Sequence, residues 1–279
     1  MSRLTQLDHT GVLVSDFERS KNFYIDFLGM ELRKDSSGLD PAVGTPNVQV
    51  RSGEAVLFLF RNLKPGESKE IRPGPAPHIE LSVSDPEAAL RYLSESEYPF
   101  EGPIETPSGE ALFYFNDPDR NLFSFSLRGA EKQDLRGIGV TGFAQINLPV
   151  TDMERATDFY TEVMGLEVRA DHLSLNPEDA RQEFRPHRVL GGKNTTLALF
   201  PVWNEGDYER ICRDGRPLDR SPRSRTRVLH LAFRSEDREA LLEKFDELGY
   251  PYEVYEGRGS RGYEVYVHDT SGFRLEIVG

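Results

Sequence analysis

Cysteine is almost missing from this chain: Cys212 stands alone among 279 residues. One thiol can neither close an intrachain disulfide nor build a thiolate zinc cluster. A reduced, cytoplasmic setting is the expectation that follows. Long apolar runs are also absent, and none reaches the roughly 18–20 residues that a membrane span needs. The opening run Met1-Ser2-Arg3-Leu4-Thr5-Gln6 has no apolar signal core, which argues against a cleaved secretory leader. Basic charge is scarce as well. Against 47 Asp and Glu there are 34 Lys and Arg, a formal net charge of −13. Such a surface repels phosphate backbones, so nucleic acid is a poor candidate partner.

What is present is enough apolar sequence for two domains: 37% hydrophobic residues over this length, with a mean hydropathy of −0.54. The chain also repeats itself. Val14–Arg33 reads VSDFERSKNFYIDFLGMELR and Val150–Arg169 reads VTDMERATDFYTEVMGLEVR, in register at an offset of 136. Each half holds a weaker echo of itself. His9, His78, Gln145 and His230 each stand seven residues before Asp16, Asp85, Asp152 and Asp237, with Glu18, Glu87, Glu154 and Glu239 following. The chain therefore divides into four quarter-modules, each opening with an apolar strand that ends at a potential helix N-cap.

In the first module His9–Val14 predicts a strand, Phe17–Leu28 a helix with Gly29 as its cap, and Asn47–Arg51 and Ala55–Phe60 further strands. The second repeats the order, with a helix near Pro86–Ser94 and strands near Ala111–Asn116 and Leu122–Leu127. Gly129–Gly137 is polar and aperiodic and is taken as the linker. The late modules are offset by 152, and the extra chain falls largely between Pro201 and Val228. That stretch carries Arg210, Arg213, Arg216, Arg220, Arg223, Arg225 and Arg227. It can be a lid or an anion site; a solvated loop or subunit contact is the favoured reading.

Histidine at one equivalent position in three modules suggests metal ligation beyond what a lone strand histidine implies. The last strands align through Tyr114 with Tyr266 and Asp117 with Asp269, which sets Glu276 opposite Ser124. A carboxylate in the apolar run Leu275-Glu276-Ile277-Val278 either faces solvent on an edge or is buried with a partner such as a metal.

These residues are similar to the vicinal oxygen chelate superfamily, which includes glyoxalase I, fosfomycin and bleomycin resistance proteins and type I extradiol dioxygenases. The matching positions are His9…Asp16…Phe23-Tyr24…Leu28-Gly29, Gln145…Asp152…Phe159-Tyr160…Met164-Gly165, the strand starts at His78 and His230, and Asp269…Gly272…Glu276. The resemblance covers nearly the whole chain and specifies fold more than reaction. It implies an α+β protein of four βαβββ modules in two glyoxalase-like half-barrel domains, assigned to residues 1–131 and 138–279.

In this family one metal is held by the first strand of one module and the first and last strands of another. If neighbouring modules pair, the sets are His9, His78 and Ser124, and Gln145, His230 and Glu276. If the first pairs with the fourth, the sets are His9, His230 and Glu276, and Gln145, His78 and Ser124. Only the crossed arrangement leaves one complete site, a facial triad suited to non-haem iron.

Extradiol enzymes carry a tyrosine ten residues before the carboxylate ligand, where Tyr266 stands. Thr270 replaces the proline usual in that motif. Arg258, in Gly257-Arg258-Gly259, resembles the branch that cleaves hydroquinones, although that branch often has His-His where this chain has Asp8-His9. His268 can share the face of Tyr266 or point to solvent. Tyr266 can equally be plain packing, since Tyr114 is its counterpart. Glyoxalases add a glutamate on the fourth strand of a module; here Val56–Leu59 and Thr196–Leu199 offer no carboxylate.

The resemblance thus implies a metal-dependent ring-cleaving dioxygenase acting on a hydroquinone- or catechol-type aromatic with O2, as monomer or homodimer. Fe(II) is the favoured ion, with Mn(II), Zn or Ni as alternatives. His9, His230 and Glu276 would hold the metal, and Tyr266, Arg258 and His268 would act on the substrate. The other readings are a non-oxidative metalloenzyme (lyase, isomerase or thiol transferase) and a metal-free small-molecule binding protein.

Overall fold

The structure is a computed structural model that describes residues 4–40, 45–53, 55–61, 78–106, 109–127, 136–173, 186–201, 228–235, 237–257 and 262–279. Each module runs strand, helix, three strands. The first comprises β1 (Leu4–Val14), α1 (Phe17–Lys21), β2 (Glu31–Asp35), β3 (Asn47–Ser52) and β4 (Ala55–Arg61). The second comprises β5 (Ile79–Val83), α2 (Pro86–Glu95), β6 (Phe100–Glu105), β7 (Ala111–Asn116) and β8 (Leu122–Ser126). The third comprises β9 (Val140–Val150), α3 (Met153–Asp158), β10 (Glu167–Asp171), β11 (Arg188–Gly191) and β12 (Thr196–Pro201). The fourth comprises β13 (Val228–Ser235), α4 (Arg238–Leu248), β14 (Tyr252–Glu256), β15 (Tyr263–His268) and β16 (Arg274–Val278). Most of the expected linker (residues 129–135 of 129–137) and the whole arginine-rich segment 210–227 lie outside the described residues.

The four aspartates found in the repeats start the four helices. Asp16, Asp85, Asp152 and Asp237 each accept from the backbone N–H three residues on, at 2.9–3.0 Å. The helix expected over Phe17–Leu28 changes character midway: α1 gives way to a π-helical turn over Asn22–Phe27, and α3 to one over Phe159–Val163. The wider turn lets consecutive large residues, Phe23 with Tyr24 and Phe159 with Tyr160, all be buried, which a regular 3.6-residue turn does less well. Gly29 ends the first turn at φ +78°, where a Cβ would lie 2.0 Å from the carbonyl oxygen of Arg136.

Two eight-stranded sheets result, ordered β14-β15-β16-β13-β1-β4-β3-β2 and β10-β11-β12-β9-β5-β8-β7-β6. The first joins module one to module four through the antiparallel β1/β13 seam; the second joins modules two and three through β5/β9. The sheets are therefore crossed: each sequence half, 1–131 and 138–279, contributes one module to each. The helix-side contacts link modules that are neighbours in sequence. Tyr24 Oη donates to Asp117 at 2.8 Å and Tyr160 Oη to Asp269 at 2.9 Å. Phe27 packs on Tyr98, and Phe159 on Tyr250. One face of every sheet is sealed this way in a continuous apolar core. Among the described residues no helix is long and apolar enough to cross a membrane.

Candidate metal centre

The face of the first sheet away from the helices gathers His9 from β1, His230 from β13 and Glu276 from β16, all buried. Strand register places them. His9 stands opposite Ala232, Gly11 opposite His230, and Ala232 beside Glu276 in the parallel β13/β16 pair. The two small residues leave room for the three large ones. A Cβ on Gly11 would lie 2.8 Å from His230 Cε1.

The ligand atoms converge. His9 Nε2 is 3.1 Å from His230 Nε2, and Glu276 Oε2 lies 3.0 Å from His230 Nε2 and 3.7 Å from His9 Nε2. Donors at right angles around an ion with bonds of about 2.1 Å are themselves about 3 Å apart, so this spacing and donor set fit a divalent metal held facially. Burial opposes ionisation of Glu276, yet the hydrogen bond from His230 and the nearby His9 hold its carboxyl well below the usual carboxylate range. Burial lowers His230 despite Glu276. Burial also opposes the charged form of His9, but the hydrogen bond to Asp8 and the nearby Glu276 carboxylate outweigh it, and its pKa is raised.

The fourth strand of module one supplies aromatic rings at this face. Phe58 stacks on His9 at 3.9 Å and 12°, and the Phe60 and His230 rings lie 5.7 Å apart. Tyr266 stands directly opposite Glu276 in the β15/β16 ladder, its hydroxyl donating to Glu264 at 3.0 Å and the Arg274 guanidinium lying 3.8 Å over its ring. Burial first, then the carboxylates of Glu276 and Glu264, push the Tyr266 phenol far above its ordinary pKa, so it stays protonated as a donor. His268 lies exposed at the end of β15, in register with Arg274 and outside the ligand cluster. Arg258 lies outside the described residues. Sequence reasoning missed Phe58, Phe60, Gly11 and the ion pair of Asp8 with Arg234, whose Nε donates to Asp8 Oδ2 at 2.6 Å.

The second sheet carries the counterparts His78, Gln145 and Ser124 at its own seam. Asn147 Nδ2 lies 2.6 Å from His78 Nε2, and Gln145 Nε2 donates to Asn147 Oδ1 at 2.8 Å. Ser124 Oγ is buried without a hydrogen-bond partner among the described residues.

Paired βαβββ sheets with a buried cluster at one seam define a glyoxalase-type protein. The family described as Glyoxalase/Bleomycin resistance protein/Dioxygenase superfamily matches residues 6–125 and 142–277, and the chain belongs to it. A curated relative of Escherichia coli strain K12, the uncharacterized protein YaeR, is 31% identical over 129 residues, covering 43% of this chain and 93% of its own. The uncharacterized protein YwkD of Bacillus subtilis strain 168 is 28% identical over 121 residues, covering 42% and 92%. Among solved structures, glyoxalase I from Zea mays superposes with a TM-score of 0.68 at 18% identity, covering 100% of this chain and 92% of its own. A Bacillus subtilis protein described as a "putative dioxygenase" gives 0.67 at 17%, covering 100% and 86%. At such identities these structures speak for the fold alone.

Proposed function

We propose that this chain is a metal-dependent dioxygenase that opens the ring of a hydroquinone- or catechol-type aromatic, with His9, His230 and Glu276 as metal ligands. The observation that carries the reading is the convergence of two imidazoles and one carboxylate, with Phe58 of the neighbouring strand stacked on His9. Held by these side chains, Fe(II) or Mn(II) would supply Lewis acidity toward a phenolic oxygen and redox chemistry with O2. The chain's own residues do the rest. Phe58 and Phe60 offer an apolar wall for an aromatic ring. Tyr266, held protonated, donates to a substrate oxygen by exchanging its bond to Glu264. Arg258 supplies fixed positive charge toward an anionic intermediate, since arginine does not titrate near neutral pH. His268, at the rim of the same strand, meets the outer end of the substrate.

The test is elemental analysis of anaerobically purified protein with His230→Ala as control, followed by oxygen uptake with hydroquinones and catechols. About one Fe or Mn per chain, lost in the variant, together with uptake, is the expected result. One Zn or Ni and no oxygen consumption would move the reading to a lyase, isomerase or thiol transferase. No metal after anaerobic reconstitution would overturn it in favour of a binding protein.

A further inference from the structure

Asp8 and His9 are adjacent on a strand, and a regular pleat would send their side chains to opposite faces. Their side chains touch instead: His9 Nδ1 lies 2.9 Å from Asp8 Oδ1. The cause is in the register. Leu7 pairs with Phe233 and His9 with Ala232, which leaves Asp8 as the extra residue of a β-bulge. The buried carboxylate of Asp8 needs a partner there, and Arg234 of β13 provides it.

The second sheet has the same bulge without the charges. Phe143 pairs with Leu81 and Gln145 with Glu80, which makes Ala144 the extra residue. At the repeat offsets Ala144 is the counterpart of Asp8, and Ser82 that of Arg234. Both Ala144 and Ser82 line a cavity of about 400 Å³. The bulge therefore belongs to the fold, whereas the acid–arginine pair occurs only behind the seam that has the His-His-Glu cluster.

We infer that Asp8 and Arg234 are positioning residues that set the affinity of the cluster for its metal, acting through His9; this rests on the metal-site reading above. A carboxylate only accepts, so Nδ1 carries the proton and Nε2 of the neutral ring turns its lone pair toward His230 and Glu276. The negative charge behind the ring strengthens that lone pair as a donor to a cation. Arg234 holds the carboxylate in the plane that His9 requires, and Phe58 fixes the ring from its flat side.

The experiment is an anaerobic titration with Mn(II), read by loss of the free-ion EPR signal. It compares the unsubstituted chain with Asp8→Asn, Asp8→Ala, Arg234→Ala and the double variant Asp8→Ala/Arg234→Ala, and records the melting temperature of each metal-free protein. Asp8→Ala is expected to raise Kd roughly 10–100-fold. Asp8→Asn keeps an acceptor and should raise it less, and the double variant should bind no more weakly than Asp8→Ala alone. No Mn(II) binding by the unsubstituted chain would sink the metal-site reading itself. Binding by that chain with unchanged Kd in both Asp8 variants would sink only the inference, as would lowered melting temperatures without a change in Kd. If Asp8→Ala does not fold, the near-isosteric Asp8→Asn decides by the same criterion.

Discussion

Gly11 faces His230 in one half-barrel; in the other, the counterpart is Asn147, and its side chain contacts both His78 and Gln145. Ala232 beside Glu276 becomes Glu80 beside Ser124, the acid moving one strand over from the position where it would meet the histidine. The two seams have the same strand order and the same bulge, yet one leaves three ligand atoms facing a common point and the other ties its imidazole to a neighbouring amide. Their comparison teaches that bringing three candidate ligands together on this scaffold depends on small residues as much as on the ligands themselves. Backbone ladders lie in the plane of the sheet and helix-side cores use the opposite face of every strand, so both survive the change.

The sharpest way to break the contrast is to give the first seam the residue of the second. In Gly11→Asn the added side chain must displace His230, so metal content is expected to fall from about one ion per chain to none. Circular dichroism confirms that the sheets persist, and near-normal metal content in a folded variant would remove His230 from the ligand set. The reverse exchange has a smaller expected effect. Asn147→Gly, Gln145→His, Glu80→Ala and Ser124→Glu together rebuild the triad around His78. A second ion per chain should then bind, roughly 10–100-fold more weakly than the first because Ala144 and Ser82 stand where Asp8 and Arg234 would be. A folded variant that still takes up a single ion would show that the seam needs more than these four positions.

Much of this was legible in the sequence because duplication made it so. Offsets of 136 and 152 marked the modules, the helix caps and the equivalence of His9, His78, Gln145 and His230. Glu276 stood out as a carboxylate in an apolar strand. The pairing of modules was harder: β1 and β13 are more than two hundred residues apart, and no local pattern says which seam closes. It could be argued only from which assignment leaves one site whole. The position of Asp8 beside His9 was out of reach, because a bulge is a relation between two strands, and alternation along β1 alone sends the two side chains apart. The π-helical turns were hidden for a similar reason. Phe17, Phe23, Tyr24, Phe27 and Leu28 fit an ordinary helical stripe, and only the packing shows that the turn must widen.

Where the halves have not diverged, they should respond alike. Asp117 and Asp269 are buried carboxyls, each raised to about 6, chiefly by burial, with hydrogen bonds from Tyr24 or Tyr160 and from the turn residues pulling the other way. A carboxyl whose folded value lies above its unfolded 3.8 adds stability that is complete below that value and is lost as pH rises through 6. Above pH 6 each carboxylate is ionised in a dry turn, where the tyrosine hydrogen bond counts for more than it does to the neutral carboxyl. Tyr24→Phe is therefore expected to cost about 1.5–3 kcal/mol at pH 8, as for a hydrogen bond to a charged group, and about 0.5–1.5 kcal/mol at pH 5, where the carboxyl is neutral. Tyr160→Phe should show the same pair of values. Urea unfolding of chelator-treated protein at both pH values measures the difference without a contribution from bound metal. Equal costs at the two pH values would mean that Asp117 is already ionised at pH 5. Unequal behaviour of the two tyrosines would mean that the halves differ behind their helices as well as at their seams.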